Sequence, residues 1–308
     1  MTMTDRIHER RFDVAGTTLA GTFAPAGGST GPSPAALLLS GSGPLDRDSN
    51  TRKLPIGVMG QLADHLADAG VASFRYDKRG VGESGGEYLR VGLRDEIDDA
   101  VVAFDHLRRE PTVDPDRIVV VGHSVGAWIA LEVAAARPEV AGVVLLAGPA
   151  QDGDTVLRWQ ARRIRDTLPR PVRGVLRVLR LDLVKSQRKR LDRIRSSSDD
   201  VMRMQLVKLN ARWFREFMAH DPVPRLEAMR VPVLAITGAK DIQVDPLDIE
   251  RMGELVSAPF SGHIPDDLTH LLRTHDGPPS LRTYKKQAKR PVADAVVDTI
   301  VDWIGEVV

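Results

Sequence analysis

The stretch "VVVGHSVGAW", residues 119–128, decides the fold. The apolar residues that lead into it are typical of a buried strand, and the residues from Ser124 onward have the composition of a helix. Ser124 stands between Gly122 and Gly126, and glycines at these two positions allow a sharp strand-to-helix turn that presents a hydroxyl above the sheet edge. The helix amino end favours negative charge. Ser124 is therefore a candidate nucleophile.

Strand and helix patterns alternate on both sides of this turn. A β-hairpin is predicted within residues 11–26. Further strands are predicted at 35–44, 71–77, 117–123, 140–148, 231–241 and 258–267, and helices at 56–69, 93–110, 124–137, 246–256 and 292–307. This alternation predicts an α/β fold with a mostly parallel sheet and helices on both faces.

The alternation breaks between residues 151 and 225, a segment called the insert below. Basic, helix-favouring sequence replaces the strands there, so we predict a core of residues 1–150 and 226–308 with a helical cap formed by residues 151–225. From Arg158 to Arg195 the insert holds 14 lysines and arginines against three acids, a local balance of +11 in a chain of net charge +1.

The basic part of the insert allows several interpretations. The segment "LPRPVRGVLRVLRLDLVKSQRKRLDRIR", residues 168–195, is typical of an amphipathic basic helix. It can be a solvated helix face, the basic rim of an apolar pocket for acyl chains or anionic groups, or a contact with anionic lipid. Nucleic-acid binding is not expected, because aromatic residues for base stacking are scarce there.

The composition excludes several classes of function. The chain of 308 residues has no cysteine, which excludes disulfides, thiolate metal sites and cysteine nucleophiles. No HExxH motif or carboxylate cluster is present, so neither a metal nor another cofactor is expected. The longest apolar run, Val140–Ala150, is too short to span a membrane, and the amino-terminal residues do not have the pattern of a secretory signal. We expect a cytoplasmic protein and leave its oligomeric state open.

Five collinear motifs carry a family resemblance. They are "LLLSGSGPLDRD" after the third strand, "RYDKRGVGES" after the fourth, "GHSVG" at the turn, "TGAKDIQVD" after the seventh and "DLTHLLR" near the end. With these motifs the chain resembles the α/β-hydrolases, in the branch of esterases and S33-type serine aminopeptidases. The resemblance covers residues 7–306 apart from the insert and implies an eight-stranded sheet.

The resemblance also implies a catalytic triad in the order serine, acid, histidine. Ser124 would be the nucleophile, His270 the general base and then acid, and Asp241 the carboxylate that orients the imidazole. Asp245 is the alternative acid, whereas Asp266 and Asp267 are interpreted as turn residues. His263 falls inside the last predicted strand and His275 in the loop beyond it, so neither is the expected base. His123 is interpreted as a packed neighbour of the nucleophile.

An oxyanion hole needs two backbone N–H donors. The resemblance implies that Val125 supplies one and that Ser42, with Gly43 as the alternative, supplies the other. Asp77 and Arg79 are interpreted as a structural pair that braces this loop.

The implied activity is that of a serine hydrolase, a carboxylesterase acting on small or medium acyl esters. The same residues would serve a peptidase, a thioesterase or an acyltransferase, so the substrate is a small-molecule ester or amide. The other class of function is a non-catalytic ligand- or membrane-binding protein that retains the fold.

Overall fold

A sheet of eight strands runs through the centre of the computed structural model, which describes residues 7–169, 171, 172, 174, 182–204 and 206–308. The strands are β1 (His8–Val14), β2 (Thr17–Ala24), β3 (Ser33–Leu39), β4 (Ala72–Tyr76), β5 (Val113–His123), β6 (Val140–Leu146), β7 (Val233–Ile236) and β8 (Phe260–His263). Their spatial order is β1-β2-β4-β3-β5-β6-β7-β8. The pairs β1–β2 and β2–β4 are antiparallel and the remaining pairs are parallel. The predicted eight-stranded, mostly parallel sheet is confirmed.

Helices cover both faces of the sheet. They are α1 (Val58–Asp68), α2 (Leu93–Leu107), α3 (Val125–Ala136), α4 (Gly153–Asp166), α5 (Leu183–Arg195), α6 (Ala211–Ala219), α7 (Val223–Ala228), α8 (Asp248–Leu255), α9 (Tyr284–Gln287) and α10 (Asp294–Val307). Apolar residues of α1 and α10 pack on one face, and those of α2, α3 and α8 on the other. Successive side chains of a strand point to opposite faces, so Val120 of β5 joins one core cluster and Val121 the other. This burial on both faces explains the continuous apolar runs of the central strands.

The longest apolar run of the sequence begins with strand β6 rather than with a helix. Within the residues that the structure describes, none of the helices combines the length and the apolar character needed to cross a bilayer.

The insert differs from the all-helical prediction. Besides α4, α5 and α6 it contains a two-stranded antiparallel ribbon, Val201–Met204 paired with Val207–Asn210. The sequence between its two strands contains no glycine, proline or asparagine, so no turn signal marks the ribbon in the sequence. Of the predicted basic helix over 168–195, the described residues 171, 172 and 174 are helical, and Leu183–Arg195 form α5. Residues 170, 173 and 175–181 of that prediction lie outside the described residues.

Candidate active site

Ser124 occupies a strained turn at the carboxyl end of β5. Its backbone has φ 57° and ψ −121°, a conformation that residues with a side chain rarely adopt. The two flanking glycines make the turn possible, because a Cβ on Gly126 would overlap the carbonyl oxygen of Leu39 and one on Gly122 would overlap the backbone of Gly126 itself. The Ser124 N–H donates to the carbonyl of Leu146 at 2.8 Å, which fixes the turn to β6. Such strain concentrates at functional positions.

Asp241 and His270 form a buried hydrogen-bonded pair at the same edge of the sheet. Asp241 follows β7, and His270 lies on the loop after β8. The Nδ1 of His270 donates to Oδ2 of Asp241 at 2.7 Å, and the two side chains are 5% and 0% exposed. The other oxygen, Oδ1, accepts from the N–H groups of Gln243 and Val244 at 2.7 and 3.0 Å. The acid is therefore held by three donors, and in turn it fixes the imidazole with Nε2 free to act.

Arg273 stabilises the loop after β8 that holds His270. This guanidinium is fully buried and donates to the carbonyls of Leu271 at 2.5 Å, Ile56 at 2.6 Å and Arg290 at 3.2 Å. Burial lowers the pKa of Arg273 to about 10. An arginine that bonds three carbonyls ties together three chain segments around His270, a role that the sequence analysis missed because no local pattern marks it.

His123 links the Ser124 turn, residues 122–126, to the loop that holds His270. Its Nε2 donates to the backbone carbonyl of His270 at 2.8 Å, and the centroids of the two rings are 5.0 Å apart. Burial lowers the pKa of His123 to about 3, and the neighbouring His270 acts in the same direction. His123 is thus neutral near pH 7, and it packs beside the nucleophile turn.

The structure brings the three predicted triad residues to one edge, with one of the two expected hydrogen bonds formed. His270 and Asp241 are bonded, and His123, the residue before Ser124, bonds the backbone carbonyl of His270. Among the described residues no hydrogen bond joins the Ser124 hydroxyl to His270. Catalytic hydrogen bonds are often long in the absence of substrate and shorten in the reacting complex.

The remaining candidates lie elsewhere. Asp245 accepts from the N–H of Leu247 at 3.2 Å and from Arg251 at 3.4 Å, so it stabilises the start of α8 rather than an imidazole. Asp267 pairs with Lys240, and the exposed His263 contacts Ser261 at 3.1 Å. Within the described residues, no group of three or more histidines, aspartates or glutamates is placed to hold a metal ion.

The predicted oxyanion donors lie beside Ser124. Ser42, Gly43 and Val125 line the same cavity as Ser124, and a Cβ on Gly41 would lie 3.1 Å from the Ser124 Cβ. In the part of the chain that the structure describes, neither the Ser42 nor the Val125 N–H donates a hydrogen bond. Both donors are therefore available to a ligand in this cavity.

The expected pair of Asp77 with Arg79 does not form. Asp77 bonds the backbone N–H of Arg47 at 2.7 Å and its guanidinium at 2.8 Å, whereas Arg79 binds Asp99 at 2.6 Å. Burial opposes ionisation of Asp77, but the hydrogen bonds from Arg47 outweigh it, so the pKa of Asp77 lies below its ordinary value. Asp77 and Arg79 are neighbours in sequence but bind different partners, and Asp77 stabilises the loop that holds Ser42 through Arg47.

Asn210 anchors the insert to the core. Its side chain accepts from the N–H of Trp213 at 2.9 Å, which caps α6, and donates to the carbonyls of Tyr88 and Val91 at 3.0 and 2.6 Å. A further bond runs from the N–H of Arg94 to Glu216 at 2.9 Å. An asparagine before a helix is a recognised capping signal, but its bonds to a distant loop are not visible in the sequence.

A cavity of about 480 Å³ opens over Ser124. Its walls are mostly apolar and come from the insert, including Val156, Leu157, Trp213, Phe214 and Phe217. The polar lining residues besides the serines are Tyr88, Gln160, Lys208, Asn210 and Gln243. Within the described residues Lys208 is the single cation of this lining, because the arginines of α4 and α5 instead surround a second cavity of about 210 Å³.

Several known proteins resemble this chain in sequence or in structure. Esterase EstD of Thermotoga maritima is 29% identical over 278 residues, which cover 89% of this chain and 63% of that protein. The chain thus spans less than two thirds of the length of this relative. Est1E of Butyrivibrio proteoclasticus, solved with bound ferulic acid, superposes with a TM-score of 0.63 at 16% identity over 97% of this chain and 98% of its own. An esterase of Pyrococcus furiosus gives a TM-score of 0.62 at 16% identity over 99% and 92%.

These similarities alone do not assign the chain to a family, but a family model does. The model described as serine aminopeptidase, S33, matches residues 55–273, which include the nucleophile turn, the insert and the loops of Asp241 and His270. With the eight-stranded sheet described above, the chain belongs to the serine aminopeptidase S33 family of α/β hydrolases.

Proposed function

We propose that this chain is a serine hydrolase, a carboxylesterase that cleaves small to medium acyl esters through an acyl-enzyme on Ser124. The observation that carries the proposal is the strained Ser124 turn, φ 57°, at the sheet edge that also holds the bonded His270–Asp241 pair. A strained serine at the head of a helix, close to an imidazole oriented by a buried carboxylate, is the arrangement that nucleophilic acyl transfer needs.

The reaction follows from these positions. Ser124 Oγ attacks the acyl carbon while Nε2 of His270 takes the hydroxyl proton, and the negative oxygen of the tetrahedral intermediate accepts from the Ser42 and Val125 N–H groups. The intermediate collapses, and His270 gives the proton to the departing alcohol. A water molecule then loses a proton to His270 and attacks the acyl-enzyme, which releases the carboxylic acid and restores Ser124.

The cavity supports an apolar acyl group. Its volume of about 480 Å³ lies within the usual range for small-molecule sites, and aromatic and aliphatic side chains form most of its walls. Burial of each methylene of the substrate against such walls contributes about 0.8 kcal/mol. The cavity should therefore bind a substrate with a medium-length acyl group more tightly than one with an acetyl group.

The cavity favours esters over peptides with a free amino end. An aminopeptidase has to bind the ammonium group of its substrate, usually with a carboxylate. Among the described lining residues none is acidic, and the one charged side chain, Lys208, would repel an ammonium group. The relative EstD bears the name of an esterase, which agrees with this preference.

Hydrolysis of p-nitrophenyl butyrate by wild type and Ser124→Ala tests the proposal. We expect turnover by wild type, at least a 10⁴-fold loss of kcat in the variant, and only weak hydrolysis of alanyl p-nitroanilide by wild type. Ser261→Ala, which removes a hydroxyl from β8, should keep wild-type activity. A fluorophosphonate should label wild type at Ser124, as shown by mass spectrometry. Equal butyrate hydrolysis by Ser124→Ala and wild type would refute the proposal.

A further inference from the structure

Lys78 is a buried cation directly beneath the loop that holds Ser42. It follows β4, and the residue is 6% exposed. Its Nζ donates to the carbonyl oxygen of Gly41 at 2.7 Å and to Oε1 of Glu96 at 3.1 Å. Burial of an ammonium group is costly unless it is paired and hydrogen-bonded. A carboxylate is one partner here, and the second is a backbone carbonyl next to the nucleophile.

The carbonyl that Lys78 binds belongs to the same peptide unit as the Ser42 N–H. The described chain contains no cis peptide bond, and in a trans peptide the C=O and N–H bonds point in opposite directions. With the ammonium group at the oxygen edge of the peptide unit, the Ser42 N–H points away from it, at the opposite edge of the same plane. Ser42 lines the cavity over Ser124, so this is the side available to an oxyanion.

We propose that Lys78 is a positioning residue for catalysis, which fixes and polarises the Gly41–Ser42 peptide so that its N–H stabilises the oxyanion. This rests on the proposed function, in which Ser42 supplies that donor. A hydrogen bond from a charged donor is stronger than a neutral one, and a bond to the carbonyl of a peptide strengthens the bond that its N–H donates. Because Glu96 neutralises the ammonium group, the effect acts through the peptide and not through a long-range field.

The neighbouring charged residues do not perform this task. Asp77 holds the far part of the same loop through Arg47, and Arg79 binds Asp99 of α2. Arg79 also contacts Thr17 at 3.3 Å, at the turn between β1 and β2. Of these three consecutive residues in the described structure, Lys78 is therefore the one that bonds the peptide of the oxyanion loop.

The test compares Glu96→Gln with the double variant Lys78→Met/Glu96→Gln. Glutamine keeps an oxygen for Lys78, so the single variant retains the bond to Gly41 while it removes the buried carboxylate. We expect its kcat for p-nitrophenyl butyrate to stay within about threefold of wild type. The double variant should lose kcat by about 10- to 100-fold with KM unchanged, less than the roughly 10²- to 10³-fold that removal of an oxyanion donor costs. Inhibition by a trifluoromethyl ketone, which forms an oxyanion on Ser124, should weaken by the same factor.

A matched control separates this effect from the loss of a buried ion pair. Arg79→Met/Asp99→Asn removes the adjacent pair, and we expect it to lower the melting temperature without any change in trifluoromethyl ketone affinity. If Lys78→Met/Glu96→Gln gives no folded protein by circular dichroism, Lys78→Met/Glu96→Leu replaces the pair by apolar groups and takes its place.

Three outcomes would overturn the inference. They are equal kcat and ketone affinity in the single and double variants, an equal loss in both, and a rise of KM in place of a fall of kcat. Failure of the proposed function itself has a different signature, because Ser124→Ala would then keep the activity of wild type.

Discussion

The nucleophile turn, residues 122–126, and the helices of the insert border the same cavity, yet different constraints fix their sequences. At the turn, added side-chain atoms would overlap backbone: a Cβ on Gly126 meets the Leu39 carbonyl. On α4, Arg158 pairs at the surface with Asp154, and both Arg158 and Arg195 are half exposed. Exposed ion pairs contribute about 0–1 kcal/mol. Few amino-acid types therefore fit at each position of the turn, whereas the outer surface of the insert tolerates many substitutions.

In the proposed function, this contrast separates the residues that perform the chemistry from those that select the substrate. The edge of the sheet holds Ser124, Asp241 and His270 through backbone geometry and buried hydrogen bonds. The insert supplies apolar walls through packing, as in the stack of Trp213 on Phe217 with centroids 4.9 Å apart. We expect changes at the edge to alter kcat or the pH dependence of stability, and changes in the insert to alter the preference among esters.

The largest expected effect is on the acid. Asp241→Asn should lower kcat for p-nitrophenyl butyrate by about 10⁴-fold, because the amide leaves the imidazole in the wrong tautomer. Asp245→Asn, four residues further on the same loop, should stay close to wild type, since its carboxylate bonds the start of α8. Steady-state kinetics of both variants measures the contrast. Comparable losses at the two positions would break the assignment of the acid.

An intermediate effect is expected on acid stability through His123. The pKa of this buried histidine is about 3, below its value in the unfolded chain, so the unfolded state binds more protons between pH 6.5 and pH 3. The free energy of unfolding that the neutral His123 contributes is fully present above pH 6.5 and is lost as pH falls towards 3. Between pH 7 and pH 5 the loss is on the order of 2 kcal/mol.

Denaturant unfolding at pH 7 and pH 5 measures this loss. His123→Asn should reduce the difference in the free energy of unfolding between the two pH values, because asparagine binds no proton. His65→Asn, an exposed histidine of α1, should leave that difference unchanged. Asp99, with its pKa raised to about 6 by burial, titrates equally in both variants. An unchanged pH dependence in His123→Asn would contradict a neutral buried His123.

The sequence predicts the edge of the sheet better than it predicts the insert. The Ser124 turn was predictable because its glycines are required by the backbone itself, whereas Asp241 and His270 were implied by the family resemblance. The structure bonds these two residues to each other, and their catalytic roles stay predictions. The bond from Lys78 to Gly41 joins residues 37 positions apart, and no local pattern marks it. The expected pairing of Asp77 with Arg79 was wrong for the same reason, since their partners lie on other elements.

The insert was the least predictable region. Its ribbon contains Leu206, which is 88% exposed, and Val207, so its strands carry no clear alternation between buried and exposed faces. Their pairing is set by tertiary contacts, which override local propensity. The cap boundaries at 151 and 225 and the role of the basic surface remain predictions.

The smallest expected effect concerns the acyl wall. Phe214 of α6 lines the cavity and is half-buried, so Phe214→Ala enlarges the space over Ser124 without a change in the triad. The ratio of kcat/KM for p-nitrophenyl octanoate over butyrate should rise about tenfold, because one or two methylenes in an apolar pocket discriminate by roughly 1–3 kcal/mol. The kcat for the acetate should change little, since a two-carbon acyl group does not need that wall.

Phe260→Ala, which changes a half-buried phenylalanine of β8 outside the cavity lining, is the matched control and should leave the ratio unchanged. A fall in kcat for all three esters would show instead that α6 helps to hold the edge of the sheet, and the separation between the two regions would fail.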